Sequence, residues 1–233
     1  MMKKFYIQKM EDLIEAVNYF GFLPFFENEI EGFSIAKMCD PSIYFTGVEG
    51  PWEWKGPVIS ELQCAYGKFF NKKAGFITKK WFSDFANYRR DGYDFDARFE
   101  DGLASYNEEY LYNLIAKHNS LLSKEAKALG GYVKPKEKGK DTWEARKGFD
   151  TTITKLQMNC YIVTTNFEYL LDKKGNPYGW GVARYATPEK YLGKTFIKNV
   201  YKNTPEESYK KIIKHLNKVI PNQEDNIIKL LGK

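Results

Sequence analysis

Little in this chain can do histidine or cysteine chemistry. Two histidines, His118 and His215, leave a histidine-rich metal site without ligands and give base catalysis by imidazole little to draw on. Cys39, Cys64 and Cys160 stand far apart, in neither a disulfide framework nor a zinc spacing. They are expected to be ordinary buried thiols of a reduced, cytoplasmic protein. No apolar run approaches the ~18 residues that a membrane helix needs. Residues 1–9 lack the apolar segment of a secretory leader. A nucleotide-phosphate loop, a dinucleotide fingerprint and a serine elbow are all missing, so kinase, dehydrogenase and hydrolase readings have no foothold and no cofactor is called for. The acidic stretch Asp94–Gly102 lacks EF-hand spacing, and no metal is expected there.

What the chain does have is aromatic bulk and segregated charge. Of its 233 residues, 43% are hydrophobic and 17% aromatic, which excludes a disordered polymer and allows a proper core. The net charge of +6 says little, but its distribution says more. Residues 68–90 carry seven basic side chains against one acidic; residues 91–109 carry one against seven. Residues 190–233 carry ten against four, and residues 1–67 five against ten. Such blocks either build a basic face or fold against one another and cancel.

Three segments are expected: an N-terminal α+β unit over 1–102, a second domain over 103–193 and a helical extension over 194–233. Met10, Leu13, Ile14, Val17 and Phe20 share one helical face, and Gly21 ends that helix. In Trp52-Glu53-Trp54 an extended backbone would put both rings on one side and the carboxylate on the other. The bland interpretation is a core strand; the functional one is a stacking platform for bases, or a placed Glu53. Strands around Gly67 and Gly75, with a candidate hairpin turn at Lys72-Lys73-Ala74-Gly75, lead to a helix capped by Thr78 and carrying Lys79, Lys80, Arg89 and Arg90 at its two ends. At the C-terminus, Thr204-Pro205-Glu206-Glu207 is a strong helix start.

The second segment organises the rest. Ser105 and Glu108 have capping-box spacing ahead of a stripe of Tyr110, Leu111, Leu114, Ile115 and His118. Ser123 and the Gly130-Gly131 pair bracket a short second helix, and a lysine-rich loop follows over 134–140. A third helix turns Phe149, Ile153 and Leu156 inward, leaving Arg146, Lys147, Thr151, Thr152, Lys155 and Gln157 outward or at its edges. A β-hairpin comes next, 160–168 against 178–186, with Lys173 and Lys174 at its tip. Three helices and a hairpin in that order describe a winged helix, a helix-turn-helix form that meets double-stranded DNA. The fold class is therefore α+β: a winged-helix module packed on an N-terminal unit that could be a second, degenerate copy. Arg146, Lys147, Thr151, Lys155, Lys173 and Lys174 are the candidate DNA contacts, with Trp52, Trp54 and Trp180 as candidate base-stacking groups. The same element order also serves protein–protein modules.

Four stretches carry a family resemblance. They are Gly50–Gly56; Ala65–Phe70 with Lys73–Phe76; Arg89–Asp96; and Thr154–Met158 with Tyr178–Trp180. Together they resemble the bacterial AlkZ-related proteins over about residues 5–193. The resemblance points onward to AlkZ-type DNA glycosylases, tandem winged-helix enzymes that excise alkylated or crosslinked bases. Their signature is Gln, an apolar residue, then Gln or Asp, a pair that places and activates water at the sugar C1′. The counterpart here is Gln157-Met158-Asn159, which implies Gln157 and Asn159, with Glu53 beside them, as catalytic candidates. The third position departs from the signature: asparagine can orient a water but is no base. Three readings stay open: a DNA-binding protein without catalysis, a glycosylase-like repair enzyme, and a protein-interaction module.

Overall fold

The computed structural model describes residues 1–44, 49–133, 144–175 and 177–232. Helix α1 (Met10–Phe20) begins where the Asp12 carboxylate accepts from the Gln8 and Lys9 amides, at 3.0 and 3.2 Å. It ends where Gly21 turns left-handed (φ 73) and returns its N–H to the Val17 carbonyl. A Cβ at Gly21 would lie 2.5 Å from the Trp81 indole, so both conformation and space demand glycine. Next come β1 (Phe22–Pro24), α2 (Ile35–Met38), α3 (Pro51–Leu62), β2 (Ala65–Phe70), β3 (Lys73–Ile77) and α4 (Lys79–Arg90). A short α5 (Phe95–Glu100) links to α6 (Tyr106–Lys117), β4 (Leu121–Leu122), α7 (Ser123–Leu129), α8 (Phe149–Met158), β5 (Val163–Leu171), β6 (Pro177–Ala186) and α9 (Pro188–Asn199). Finally, α10 (Pro205–Val219) and α11 (Glu224–Leu231) close the chain.

Leaving α5 aside, the first seven elements and the next seven follow one order among the described residues. Their pairings match as well. In the first half β1 and β2 both pair antiparallel with β3; in the second, β4 and β5 both pair antiparallel with β6. The two three-stranded sheets meet edge to edge at Tyr66↔Thr164, which gives one sheet in the order β1-β3-β2-β5-β6-β4. The join is reciprocal, because α3 of the first half packs on β5 and α8 of the second packs on β2. No sequence repeat announces this, since packing periodicity can persist where residue identity does not.

The expected helices over 107–118, 123–129 and 148–157 and the hairpin that follows are all present, with Val163 opposite Ala186 and Phe167 opposite Ala183. Ser105 and Glu108 form the expected reciprocal cap. Tyr110 and His118 fall outside the buried stripe, which Leu111 and Ile115 carry. The lysine-rich loop over 134–140 lies outside the described residues. Trp52-Glu53-Trp54 corrects the expectation of an extended segment, because it forms the first turn of α3. Gly50 caps that helix, Pro51 fills its first position with a ready-made φ, and Glu53 places a carboxylate at its positive end. On a helix the two indoles diverge.

Two hydrophobic clusters result. One joins the first half to α9, α10 and α11, through Phe20, Phe85, Phe196, Leu216 and their neighbours; the other fills the second half around Leu111, Phe149, Ile153 and Tyr161. The charge blocks are partly internal. Arg89 and Arg90, at the end of α4 as expected, are both buried. Arg90, 1% exposed, donates to Glu189 at 2.7 Å, to the Tyr201 hydroxyl at 2.8 Å and to the Cys160 carbonyl at 2.8 Å. Burial opposes its charge, but Glu189 and Tyr201 outweigh that and raise its pKa. Arg89 donates to the Met158 and Leu231 carbonyls, tying the last helix to the end of α8. No helix among the described residues is long and apolar enough to cross a membrane.

Candidate functional site

Where the two sheets meet, the ladder is a single residue pair long, and the glutamine of the signature takes over from it. Gln157 Oε1 accepts from the Lys68 amide at 3.3 Å, and its Nε2 donates to Thr164 Oγ1 at 3.0 Å. The side chain is 2% exposed. This corrects its placement on the outer face of α8; Thr152 is buried there too. The amide is inside because β2 and β5 diverge beyond Tyr66 and Thr164, and the orphaned Lys68 N–H needs an acceptor.

Beside Gln157 opens a cleft of about 380 Å³, within the size range that ligand pockets occupy. Trp52, Tyr66 and Phe167 give it aromatic walls; Lys68, Lys72 and Lys73 stand at its exposed edge. Lys68 is steadied by Thr154 at 3.1 Å and Lys73 by the Glu27 carbonyl at 2.6 Å. Lys72 sits in the two-residue turn joining β2 to β3, where Asn71 and Lys72 both have positive φ (47 and 67) in a type I′ geometry that matches the strand twist. Among the described residues every charged side chain lining the cleft is a lysine.

The fourth of those lysines is internal. Lys55 is 5% exposed, and its Nζ lies 3.4 Å from the centre of the Trp52 ring and 4.4 Å from that of Phe167. Among the described residues it has neither a salt-bridge carboxylate nor a hydrogen-bond acceptor. Burial lowers its pKa from 10.5 to about 8, with Glu53 pulling it partly back up. Helix α3 packs directly on β5 here: a Cβ at Gly56 would lie 2.9 Å from Asn166 Oδ1, so a larger residue would turn that side chain aside. Tyr66, walled in by Phe76 and Phe167, has its pKa raised by burial.

The other sequence candidates scatter. Asn159 is the C-cap of α8, its N–H bonded to the Lys155 carbonyl, and it does not line the cleft. Glu53 lies in the first turn of α3, outside the lining. Trp52 borders the cleft, whereas Trp54 is buried and donates to Glu49 at 3.2 Å. The side chain of Trp180 lies outside the described residues. Arg146, Lys147, Thr151, Lys155, Lys173 and Lys174 are all exposed. Arg146 packs 3.9 Å over the Tyr110 ring and bonds Asn107, and Lys155 stands 4.0 Å from Glu108. Asp94, in the acidic stretch, caps α5 by accepting from Ala97. Among the described residues no three His, Cys, Asp or Glu side chains gather to hold a metal.

Lys55, Lys68, Tyr66 and Phe167 were not legible as site residues in the sequence. A helical assignment from Pro51 would have found Lys55, since on a helix it lies three residues from Trp52 and on the same face. No curated protein and no solved structure matches the chain. A family model described as AlkZ related does match, over residues 7–232, and the chain belongs to that family.

Proposed function

We propose that this protein binds double-stranded DNA through two tandem winged-helix units and receives an unstacked nucleotide in the cleft between them. The observation that carries this reading is the repeated order of helices and strands with repeated pairing, which places an aromatic, wholly cationic cleft at the junction. In each half a strand after the first helix joins a hairpin after the third, the connectivity of a winged helix. Helix α8 and the hairpin tip offer Thr151, Lys155, Lys173 and Lys174 to the duplex, with Arg146 and Lys147 just ahead of α8. Lys68, Lys72 and Lys73 meet phosphates at the cleft edge, and Trp52 and Tyr66 offer faces to a base. Family membership gives this reading its context.

The geometry favours binding over hydrolytic base excision through Gln157. Water activation needs a free amide beside a base. Here both ends of the Gln157 amide are engaged, and the cleft lining holds no carboxylate among the described residues.

A fluorescence titration with duplex DNA at several salt concentrations tests the proposal. Affinity should fall linearly in a log–log plot as counterions are released. Changing Lys173 and Lys174 to alanine should weaken binding and flatten the slope by roughly one for each phosphate left unneutralised. No binding at low salt would remove the reading and leave the protein-interaction module.

A further inference from the structure

The cleft edge already supplies cations for phosphates, so an internal fourth lysine asks for a different explanation. A lysine serving as an anion clamp keeps its ammonium solvated or paired. Lys55 instead lies between two aromatic faces at 3.4 and 4.4 Å, with no carboxylate among the described residues of the lining, on a helix that packs directly on β5. Desolvation that outweighs a distant carboxylate, with no salt bridge to hold the ammonium, is the environment that turns a lysine into an amine nucleophile. We propose that Lys55 is a carbonyl-reactive amine that forms an imine with the ring-opened aldehyde sugar of an abasic nucleotide held in this cleft. This rests on the DNA reading and deepens it, since it names the nucleotide class the cleft takes.

The chemistry is complete without a co-reactant. Neutral Nζ attacks the aldehyde C1′, and a proton passes from nitrogen to oxygen to give the carbinolamine. Loss of one water then forms the C=N bond. Nothing is oxidised or reduced, and water reverses the sequence. With a pKa of about 8, roughly a quarter of Lys55 is neutral at pH 7.5, against about one in a thousand for an ordinary lysine. The missing base removes stacking from an abasic nucleotide, which makes its extrusion from the duplex cheaper. Its flanking phosphates can reach Lys68, Lys72 and Lys73.

The test uses the full chain, an intact duplex, and the same duplex with one abasic site. Binding of wild type to the intact duplex is measured first. Cyanoborohydride is then added to wild type with each duplex, adducts are resolved on a denaturing gel, and the modified lysine is identified by peptide mapping. The expected result is an adduct with the abasic duplex alone, mapping to Lys55 and reduced at least tenfold in Lys55→Arg, a variant whose folding is checked by its thermal melt. Mapping of the wild-type adduct keeps the test decisive if that variant does not fold. Wild type that binds intact duplex but yields no adduct, or one on Lys68, Lys72 or Lys73, overturns the imine and leaves the DNA reading standing. Wild type that binds neither duplex overturns both.

Discussion

Replacing Lys55 by methionine should make this protein more stable at neutral pH, the opposite of what most core substitutions do. Methionine keeps the length and flexibility of the side chain and removes the charge. Lowering the lysine pKa from 10.5 to about 8 amounts to ~3 kcal/mol spent on holding an ammonium inside. Contact with the Trp52 and Phe167 faces offsets about 1–2 kcal/mol of that, since cation–π attraction strengthens on desolvation. A net gain of about 1–2 kcal/mol remains, or roughly 2–8 °C in melting temperature for a chain of this size. The gain must depend on pH in a fixed direction. Below pH 8 the lysine is charged in both the folded and unfolded chain, and the full penalty applies. Between about 8 and 10.5 the folded chain gives up the proton while the unfolded chain keeps it, so the wild type recovers. Urea denaturation of both proteins at pH 7 and pH 10 measures the difference at each. A methionine variant less stable than wild type at pH 7, or a difference that does not shrink at pH 10, refutes the reasoning.

Arg90→Met should lose about 3 kcal/mol, read as a fall in the urea midpoint, because Glu189, Tyr201 and the Cys160 carbonyl lose a shared donor; the double change with Glu189→Met should recover part of it. Gly21→Ala should cost about 2–4 kcal/mol, from positive φ and from a Cβ pressed on Trp81, and a thermal melt within 1 °C of wild type would refute that. His215 stacks on Trp81 at 4.2 Å, and burial lowers its pKa below 6.5. Its contribution is therefore fully present above pH 6.5 and is lost as pH falls from there toward its folded pKa. Melting temperatures between pH 7 and pH 5 should flatten in His215→Phe.

Local chemistry made the elements legible. The capping boxes at Ser105 and Thr204, the glycine after Phe20 and the β-branched and aromatic run along 161–167 each act within a few residues, so the sequence alone exposes them. The errors arise where distant segments decide. The burial of Arg89 and Arg90 was not legible, because their acceptors, at positions 158 to 232, are invisible from residue 90. Gln157 read as outward because the amide it serves, on Lys68, is 89 residues away. Trp52-Glu53-Trp54 is a different error: its aromatic content suits a strand, but Gly50 and Pro51 start a helix, and the start signal prevailed over propensity. A degenerate second copy was an open expectation, but its pairings stayed hidden because β1 and β4 are three and two residues long, too short to show any pattern.

The same join explains why the cleft lies where it does and why its reactive group comes from α3. A continuous ladder between β2 and β5 would flatten the junction and leave no space. With one pair, Tyr66↔Thr164, the strands splay under their own twist, and α8 fills one side of the gap with the Gln157 amide. That engagement removes from Gln157 the freedom that water activation needs. It also fixes the floor of the cleft, because moving the amide would strand both the Lys68 N–H and the Thr164 hydroxyl. The other side is left to α3, which packs on β5 and carries Lys55 and Trp52 to the opening. In this molecule, then, α8 contributes the rigidity of the site, and α3 its one buried charge.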